Sequence, residues 1–379
     1  MADIDTAALQ RSFAAVAAHG PDEVAQYFYS YLFLRYPETR EMFPPGMARQ
    51  RDRLVGALVR IVTQVDQLDE LVPYLQDLGR DHRKFGALSA HYPAVGEALL
   101  AALAHFSGPS WTPELAAQWS AAYGLVAATM SGAAEQVAAD EPAWWDAEVL
   151  EVDRRTFDIA VLRVRTDQPV PYLAGQSVSV EPTERRPREW RFYTPAVAPG
   201  GLEIELHARL LPGGPVSTAL VRSVDKGDAL RIGPPFGRMV LDPADRRPVV
   251  MIAGSTGLAP MKAFVDQLGR WAAESANPPR PVELFFGARS RREDYDAADL
   301  AALAGRYDWL TVTTVISDDI RWTGPRGLVG EVAVERVRDW PAHEVFVCGS
   351  PEMVATTRDL LAAAGAPPEQ VHSEEFGQA

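Results

Sequence analysis

The chain has almost no cysteine: one residue, Cys348, in 379. A single thiol forms no internal disulfide, so cysteine usage gives no reason to invoke an oxidising compartment. Long apolar runs are missing as well. None approaches the roughly 20 residues that a membrane helix needs. The first residues, MADIDTAALQ, are acidic and polar rather than a signal peptide. Positive charge is in deficit, with a formal net charge of −14. That argues against a nucleic-acid surface and for a self-repelling, soluble, monomeric protein of the cytoplasm, with neither nucleic acid nor membrane as partner. Repeats and low-complexity tracts are absent. What is present is ample apolar material, 47% of the residues, on a length that suggests two or three domains.

Three stretches follow three patterns. Residues 1–140 read as an all-α domain. Apolar residues recur at spacings of three and four, as in Leu54, Leu58, Ile61, Val62 and Val65. Pro21, Pro37, Pro44, Pro73, Pro93 and Pro113 sit between such runs. Residues 141–148, around Trp144 and Trp145, read as a linker at a domain junction. From 149 to 245 the period is two: Leu202, Ile204 and Leu206 alternate with Glu203, Glu205 and His207. Glycine-rich turns separate such runs, as in an antiparallel sheet closed into a small barrel. From 246 to 379, PVVMIAG, VELFFG, LTVTTVIS and EVFVCG are continuous apolar strands with helical segments between them. This is the pattern of a parallel-sheet α/β domain.

In the third stretch, IAGSTGLAPM ends a strand at Ala253 and turns through Gly254, Ser255, Thr256 and Gly257 into a helix near Pro260. Small residues let the backbone approach a phosphate, and a helix N-terminus supplies free N–H groups. Pro260 suits a first helical turn. An ordinary strand-to-helix turn has the same composition. A second strand end, Cys348 and Gly349 in FVCGSPEMV, favours a ligand, because ligands of open parallel sheets sit at the carboxyl ends of strands. Two such ends suggest a nicotinamide nucleotide. Arg289, Ser290, Arg291 and Arg292 follow FFGA. There they would hold a 2′-phosphate or form a solvated loop, so NADH and NADPH both stay open.

In the second stretch, Arg191, Phe192, Tyr193 and Thr194 break the alternation. Alone they read as a strand end. A barrel beside a nucleotide-binding domain resembles the flavin reductases, and the resemblance implies Arg191 at a flavin phosphate, Tyr193 against the ring and Thr194 at its N5 edge. Gly214, Val216 and Ser217 in GGPVS would turn N–H groups and a hydroxyl to the diphosphate. The chain closes on HSEEFGQA, where Phe376, with the acidic Glu374 near it, would cover the flavin ring until nicotinamide arrives. In this order the motifs resemble the ferredoxin–NADP reductase superfamily, which implies FAD.

In the first stretch, His82 lies within a helical pattern, and a lone helical histidine is as a rule structural. Its surroundings argue otherwise. Tyr27 to Phe43 is an aromatic helix and corner, and Gln50 and Leu54, four apart, share a helix face. This resembles a globin, and with the reductase behind it the whole chain resembles the flavohaemoglobins. The resemblance implies haem b with His82 as proximal iron ligand and Phe43 wedging the haem. It implies Tyr29, Gln50 and Leu54 on the distal side, and Tyr92 in a tyrosine–glutamate pair that strengthens the proximal histidine. It further implies that dioxygen and nitric oxide are the substrates and nitrate the product.

Three departures stand out. The glutamate position falls on Ala134, and Glu135 lies one residue along, a rotation of about 100° on a helix. Ser177 in AGQS stands where the family often has an aromatic. CGSPEM carries an extra serine, Ser350. With the proximal pair altered, the same architecture would also serve peroxide reduction, or oxidation or nitrosation of a dedicated substrate. A gas-sensing globin kept ferrous by its own reductase is a third reading.

Overall fold

The structure is a computed structural model that describes residues 4–274 and 279–376. It divides into two compact units, Met1–Trp144 and Trp145–Ala379.

The first unit is helical: α1 (Thr6–Ala17), α2 (Pro21–Arg35), α3 (Ala48–Thr63), α4 (Leu68–His82), α5 (Tyr92–Ser107) and α6 (Pro113–Ala138). Pro21, Pro93 and Pro113 occupy first turns, where a missing N–H costs nothing. Pro73 corrects the expectation that the prolines separate the helices, because it lies inside α4. Asp5 and Thr112 cap α1 and α6 through side-chain oxygens. The apolar side chains gather in two clusters rather than one. The first holds Phe28, Tyr29, Leu32, Leu99 and Leu103, with Phe43 and Leu54 packed against it. The second holds Leu71, Leu75 and Met130, with Leu78, Tyr92 and Val126 against it. Helix α4 is pressed onto α6 at Gly79, where a Cβ would lie 2.2 Å from the Met130 carbonyl oxygen. That contact fixes the helix end that carries His82.

The second unit starts in a strand. β1 (Trp145–Asp153) alternates its first residues into the barrel core through Trp145, Ala147 and Val149. The linker expected over 141–148 therefore gives way to sheet at Trp145. β2 (Ile159–Thr166), β3 (Ser177–Pro182), β4 (Arg191–Tyr193), β5 (Glu203–Arg209), α7 (Pro215–Arg222) and β6 (Ala229–Phe236) complete this part. The antiparallel order is β4-β3-β6-β1-β2-β5. The outer strands nearly close it into a barrel: Pro195 bridges to Leu206, and Ala196 N–H donates to the Glu205 carbonyl at 2.8 Å.

β7 (Val249–Gly254), α8 (Leu258–Glu274), β8 (Val282–Ala288), α9 (Ala297–Arg306), β9 (Leu310–Ile316), α10 (Val329–Arg336), β10 (Glu344–Gly349), α11 (Pro351–Ala363) and β11 (Val371–Glu375) follow. Their sheet is parallel throughout, in the order β11-β10-β7-β8-β9. β7 and β10 are central and apolar because both faces are covered. Their carboxyl ends lie side by side, with Cys348 opposite Ala253, and β11 sets Glu374 opposite Cys348. Among the described residues no helix is long and apolar enough to cross a membrane.

Candidate functional site

In the helical unit the chain brings Tyr29, Phe43 and Gln50 together. The Tyr29 and Phe43 rings meet edge to face at 5.4 Å, and Phe33 packs on both. The Tyr29 hydroxyl donates to the Gln50 main-chain carbonyl at a long 3.4 Å. Burial pushes this phenol up to about 12, with a hydrogen bond from the Gln50 side chain opposing. It is therefore a protonated donor, held weakly, in an apolar wall. Leu54 lies a turn beyond Gln50 in α3 and packs into the same cluster.

His82 ends α4. Its Nδ1 lies 2.7 Å from the Leu78 carbonyl, four residues back. An N–H must bridge that contact, so the tautomer is set and Nε2 keeps its lone pair. Burial pulls the imidazole pKa down, with nearby Asp81 opposing, which favours the neutral, ligating form. Among the described residues no group of three or more His, Cys, Asp or Glu side chains is placed to hold a bare metal ion. The residue that would hold a haem iron here is His82. Apolar side chains for a haem to pack against come from both clusters, Phe43 and Leu54 from one and Leu78 and Tyr92 from the other.

Tyr92 opens α5, and its carbonyl accepts from the Tyr123 hydroxyl at 2.6 Å. Burial raises the Tyr92 phenol. Glu135 is not brought to it. Glu135 is exposed on α6 and accepts a short hydrogen bond from the Ser89 hydroxyl. The carboxylate one residue along from the expected position meets Ser89 instead.

In the second unit, the RFYT segment and the chain end converge. Thr194 is buried, and its hydroxyl lies 2.8 Å from Ser177 Oγ. The Ser177 hydroxyl also lies 2.9 Å from Glu374 Oε1. Ser177 thus joins barrel strand β3 to the last strand of the parallel sheet. Burial pushes the Glu374 carboxyl up to about 7, with Ser177 opposing, and its Oε2 has no hydrogen-bond partner. Cys348, opposite Glu374 in register, is fully buried. Burial, and secondarily the Glu374 charge, raise its thiol well above the ordinary value. Tyr193 packs on the barrel core, and burial raises its phenol. Phe192 is exposed and stacks obliquely on Phe236. Arg191 donates to the Trp190 carbonyl. Phe376 is half-buried against the sheet core and anchored by its N–H to the Gly349 carbonyl at 2.7 Å. An orphaned carboxylate oxygen beside two linked hydroxyls suits the polar edge of a flavin.

Gly214 caps α7. Ser217 is engaged locally: its hydroxyl accepts from Leu211 N–H and donates to the Gly214 carbonyl, both at 3.1 Å. The Val216 side chain belongs to the barrel core, so what this turn has for a diphosphate is main-chain N–H.

The turn from β7 to α8 runs through Ser255 at φ +52°, a left-handed conformation that non-glycine residues seldom adopt. Arg209, from the barrel, holds Ser255 Oγ at 2.9 Å and is itself paired with Asp158. Thr256, Gly257 and Pro260 are buried, and α8 starts at Leu258. A Cβ on Gly257 would lie 2.3 Å from the Cys348 carbonyl oxygen and 2.9 Å from Gly349 N. Both obstacles are backbone. Gly257→Ala is therefore expected to cost about 1–3 kcal/mol or more. A lower melting temperature together with a raised KM for NADH would show it. The serine that sets CGSPEM apart is a helix cap: Ser350 Oγ accepts from Met353 N–H at 3.3 Å. Arg289, Arg291 and Arg292 are exposed past the end of β8.

Sequence reasoning missed three residues here. Ser177 was read only as a lost stacking contact, and Arg209 and Lys262 (below) carry no motif.

Comparison with known proteins agrees with this layout. The globin family model matches residues 26–130, an oxidoreductase FAD-binding domain matches 146–241, and an oxidoreductase NAD-binding domain matches 251–359. A flavohemoprotein of Bordetella parapertussis is 27% identical over 98% of this chain and 97% of its own length. The ferredoxin–NAD(P)(+) reductase component of a naphthalene dioxygenase/salicylate hydroxylase system from Ralstonia is 33% identical over 60% of this chain and 67% of its own length. A crystal structure of flavohemoglobin from Malassezia yamatoensis superposes with a TM-score of 0.79 at 20% identity, covering 98% and 99% of the two chains. That last likeness concerns the fold.

Proposed function

Since the chain belongs to the flavohaemoglobin family, a globin continuous with an FAD- and NAD-binding oxidoreductase module, we propose that it is an NAD(P)H-dependent nitric oxide dioxygenase. When bound, FAD and haem supply the chemistry: electron pairs from NAD(P)H parted into single electrons, and an iron at which dioxygen and nitric oxide become nitrate. The observation that carries the reading is the buried Tyr29 hydroxyl, whose own O–H donates over a long 3.4 Å to the Gln50 main-chain carbonyl. An O–H kept from water and weakly satisfied gains most from an acceptor bearing negative charge. A dioxygen ligand that gains electron density where it binds would be such an acceptor.

The chain's own groups divide the work. His82 presents a neutral Nε2, its ring held by the bond to Leu78. Tyr29 would donate to the bound gas, and Gln50 beside it would add a second donor. Phe43 and Leu54 keep water out. Arg191 and the first turn of α7 would hold the FAD phosphates, while Tyr193, Thr194 and Glu374 would face its ring. The N–H groups of Gly254 to Gly257, with Cys348 and Gly349, would cradle the nicotinamide nucleotide. Tyr92 backs the proximal side without Glu135.

The test reduces the protein anaerobically with NADH, admits air and adds nitric oxide, following the visible spectrum and nitrate. About one nitrate per nitric oxide, with recycling on NADH, is the expected result. Tyr29→Phe should release dioxygen about 10- to 100-fold faster, the worth of a hydrogen bond to a charged acceptor. Nitrate far below the nitric oxide consumed would sink the proposal.

A further inference from the structure

The barrel and the parallel-sheet lobe are joined by buried charges that neither cofactor cradle uses. Lys262 lies one turn into α8, just past the Gly254–Gly257 turn, and is 8% exposed. Its ammonium is 2.9 Å from Glu205 Oε1 on barrel strand β5 and 2.9 Å from Asp296 Oδ2, with Asp299 at 3.6 Å. Arg155, between β1 and β2, reaches Asp296 at 2.7 Å and Asp299 at 3.0 Å. His207 on β5 lies between Glu205, at 2.9 Å, and the Tyr295 hydroxyl, at 2.7 Å.

Glu205 faces both ways. Its carbonyl accepts the N–H of Ala196, two residues past Thr194, and its carboxylate holds the helix that opens at the nucleotide turn. Burial opposes ionisation of Glu205, but the His207 bond and the Lys262 charge outweigh it and hold the carboxyl at about 2. The pair is therefore charged at every working pH. Buried ion pairs add little net stability over apolar residues of the same size, so stability alone does not account for it. Residue choice points the same way. The chain has three lysines among 37 basic residues, and one is spent here. A compact ammonium with three donors fits between carboxylates where a planar guanidinium fork does not.

We propose that Lys262 and Glu205 are positioning residues for hydride transfer, their ion pair fixing the nicotinamide cradle against the flavin wall. This rests on the NAD(P)H-to-FAD electron path proposed above.

The test uses the full chain loaded with FAD and haem, in Lys262→Met, Glu205→Gln, the double variant and Lys262→Arg. Anaerobic stopped-flow mixing with NADH gives the limiting rate of flavin bleaching and the half-saturating NADH. The long-wavelength charge-transfer absorbance reports nicotinamide–flavin stacking, and FAD retention and melting temperature are measured alongside. Asp296 keeps Arg155 in the double variant, so that protein should fold. Its limiting rate should fall about tenfold or more, within the roughly 100-fold that a 1 Å misplacement costs. The charge-transfer band should weaken, and half-saturation should move by less than about threefold. Wild-type rate and band in an FAD-retaining double variant overturn the proposal, as does a loss carried wholly by half-saturation. If the double variant sheds FAD, Lys262→Arg is decided by the same readouts. Failure of NADH to bleach the wild-type flavin would instead condemn the electron path.

Discussion

His82→Ala is expected to lose haem and all nitrate formation while NADH still reduces the flavin at close to the wild-type rate. The asymmetry follows from the architecture. His82 belongs to the helical unit, and the flavin and nucleotide residues belong to the other, so the two losses should be nearly independent. Losing even an outer partner of a ligating histidine typically costs about 10- to 100-fold in metal affinity, so losing the ligand should cost more. The check is the ratio of Soret to flavin absorbance after purification, with ferricyanide reduction by NADH as the control. Added imidazole should restore part of the Soret band, since the space left by the side chain accepts it. An unchanged ratio and an unchanged oxygenated spectrum would place the ligand elsewhere.

Much of this was legible in the sequence because it rests on local rules. Alternation in LEIELH, unbroken apolar strands and small residues at strand ends each follow from how one element meets its neighbours. They gave the helical, barrel and parallel-sheet order that the structure has. What was not legible depends on partners distant in sequence. Ser177 looked like a missing aromatic, yet its hydroxyl meets Thr194 and Glu374, the latter 197 positions away. Lys262 sits in an ordinary amphipathic helix pattern, and only the fold sets Glu205 against it. Pro73 was misread because proline is as a rule a boundary. Here it falls early in α4, where the tertiary packing of α4 on α6 outweighs one lost N–H. The offset at Glu135 was visible, but its consequence needed the helix: one residue turns the carboxylate to Ser89.

Glu374→Gln is expected to raise the melting temperature of the flavin-nucleotide unit at pH 8 and to change it little below pH 4.5. Burial holds the Glu374 carboxyl at about 7, against an ordinary 4.5. Between those values the folded chain keeps a proton that the unfolded chain has released. Stability therefore falls as pH rises through that window, and the whole loss is in place once pH passes the folded value. At 1.36 kcal/mol per unit the loss is at most about 3 kcal/mol. For a unit of this size that corresponds to roughly 10 °C at the upper limit. Glutamine never ionises, and its carbonyl oxygen still accepts from Ser177, so the variant should escape the loss. Melting curves of the FAD-loaded chain at pH 4.5, 6 and 8 decide the matter. A difference between variant and wild type that stays constant with pH would show that another group titrates. The same carboxyl explains why a destabilising group is tolerated. Near neutrality it is half protonated, so its Oε2, without a partner in the protein, can offer or accept a proton beside Thr194. The variant should accordingly flatten the pH dependence of flavin reduction around 7, whereas a purely structural glutamate would leave that profile unmoved.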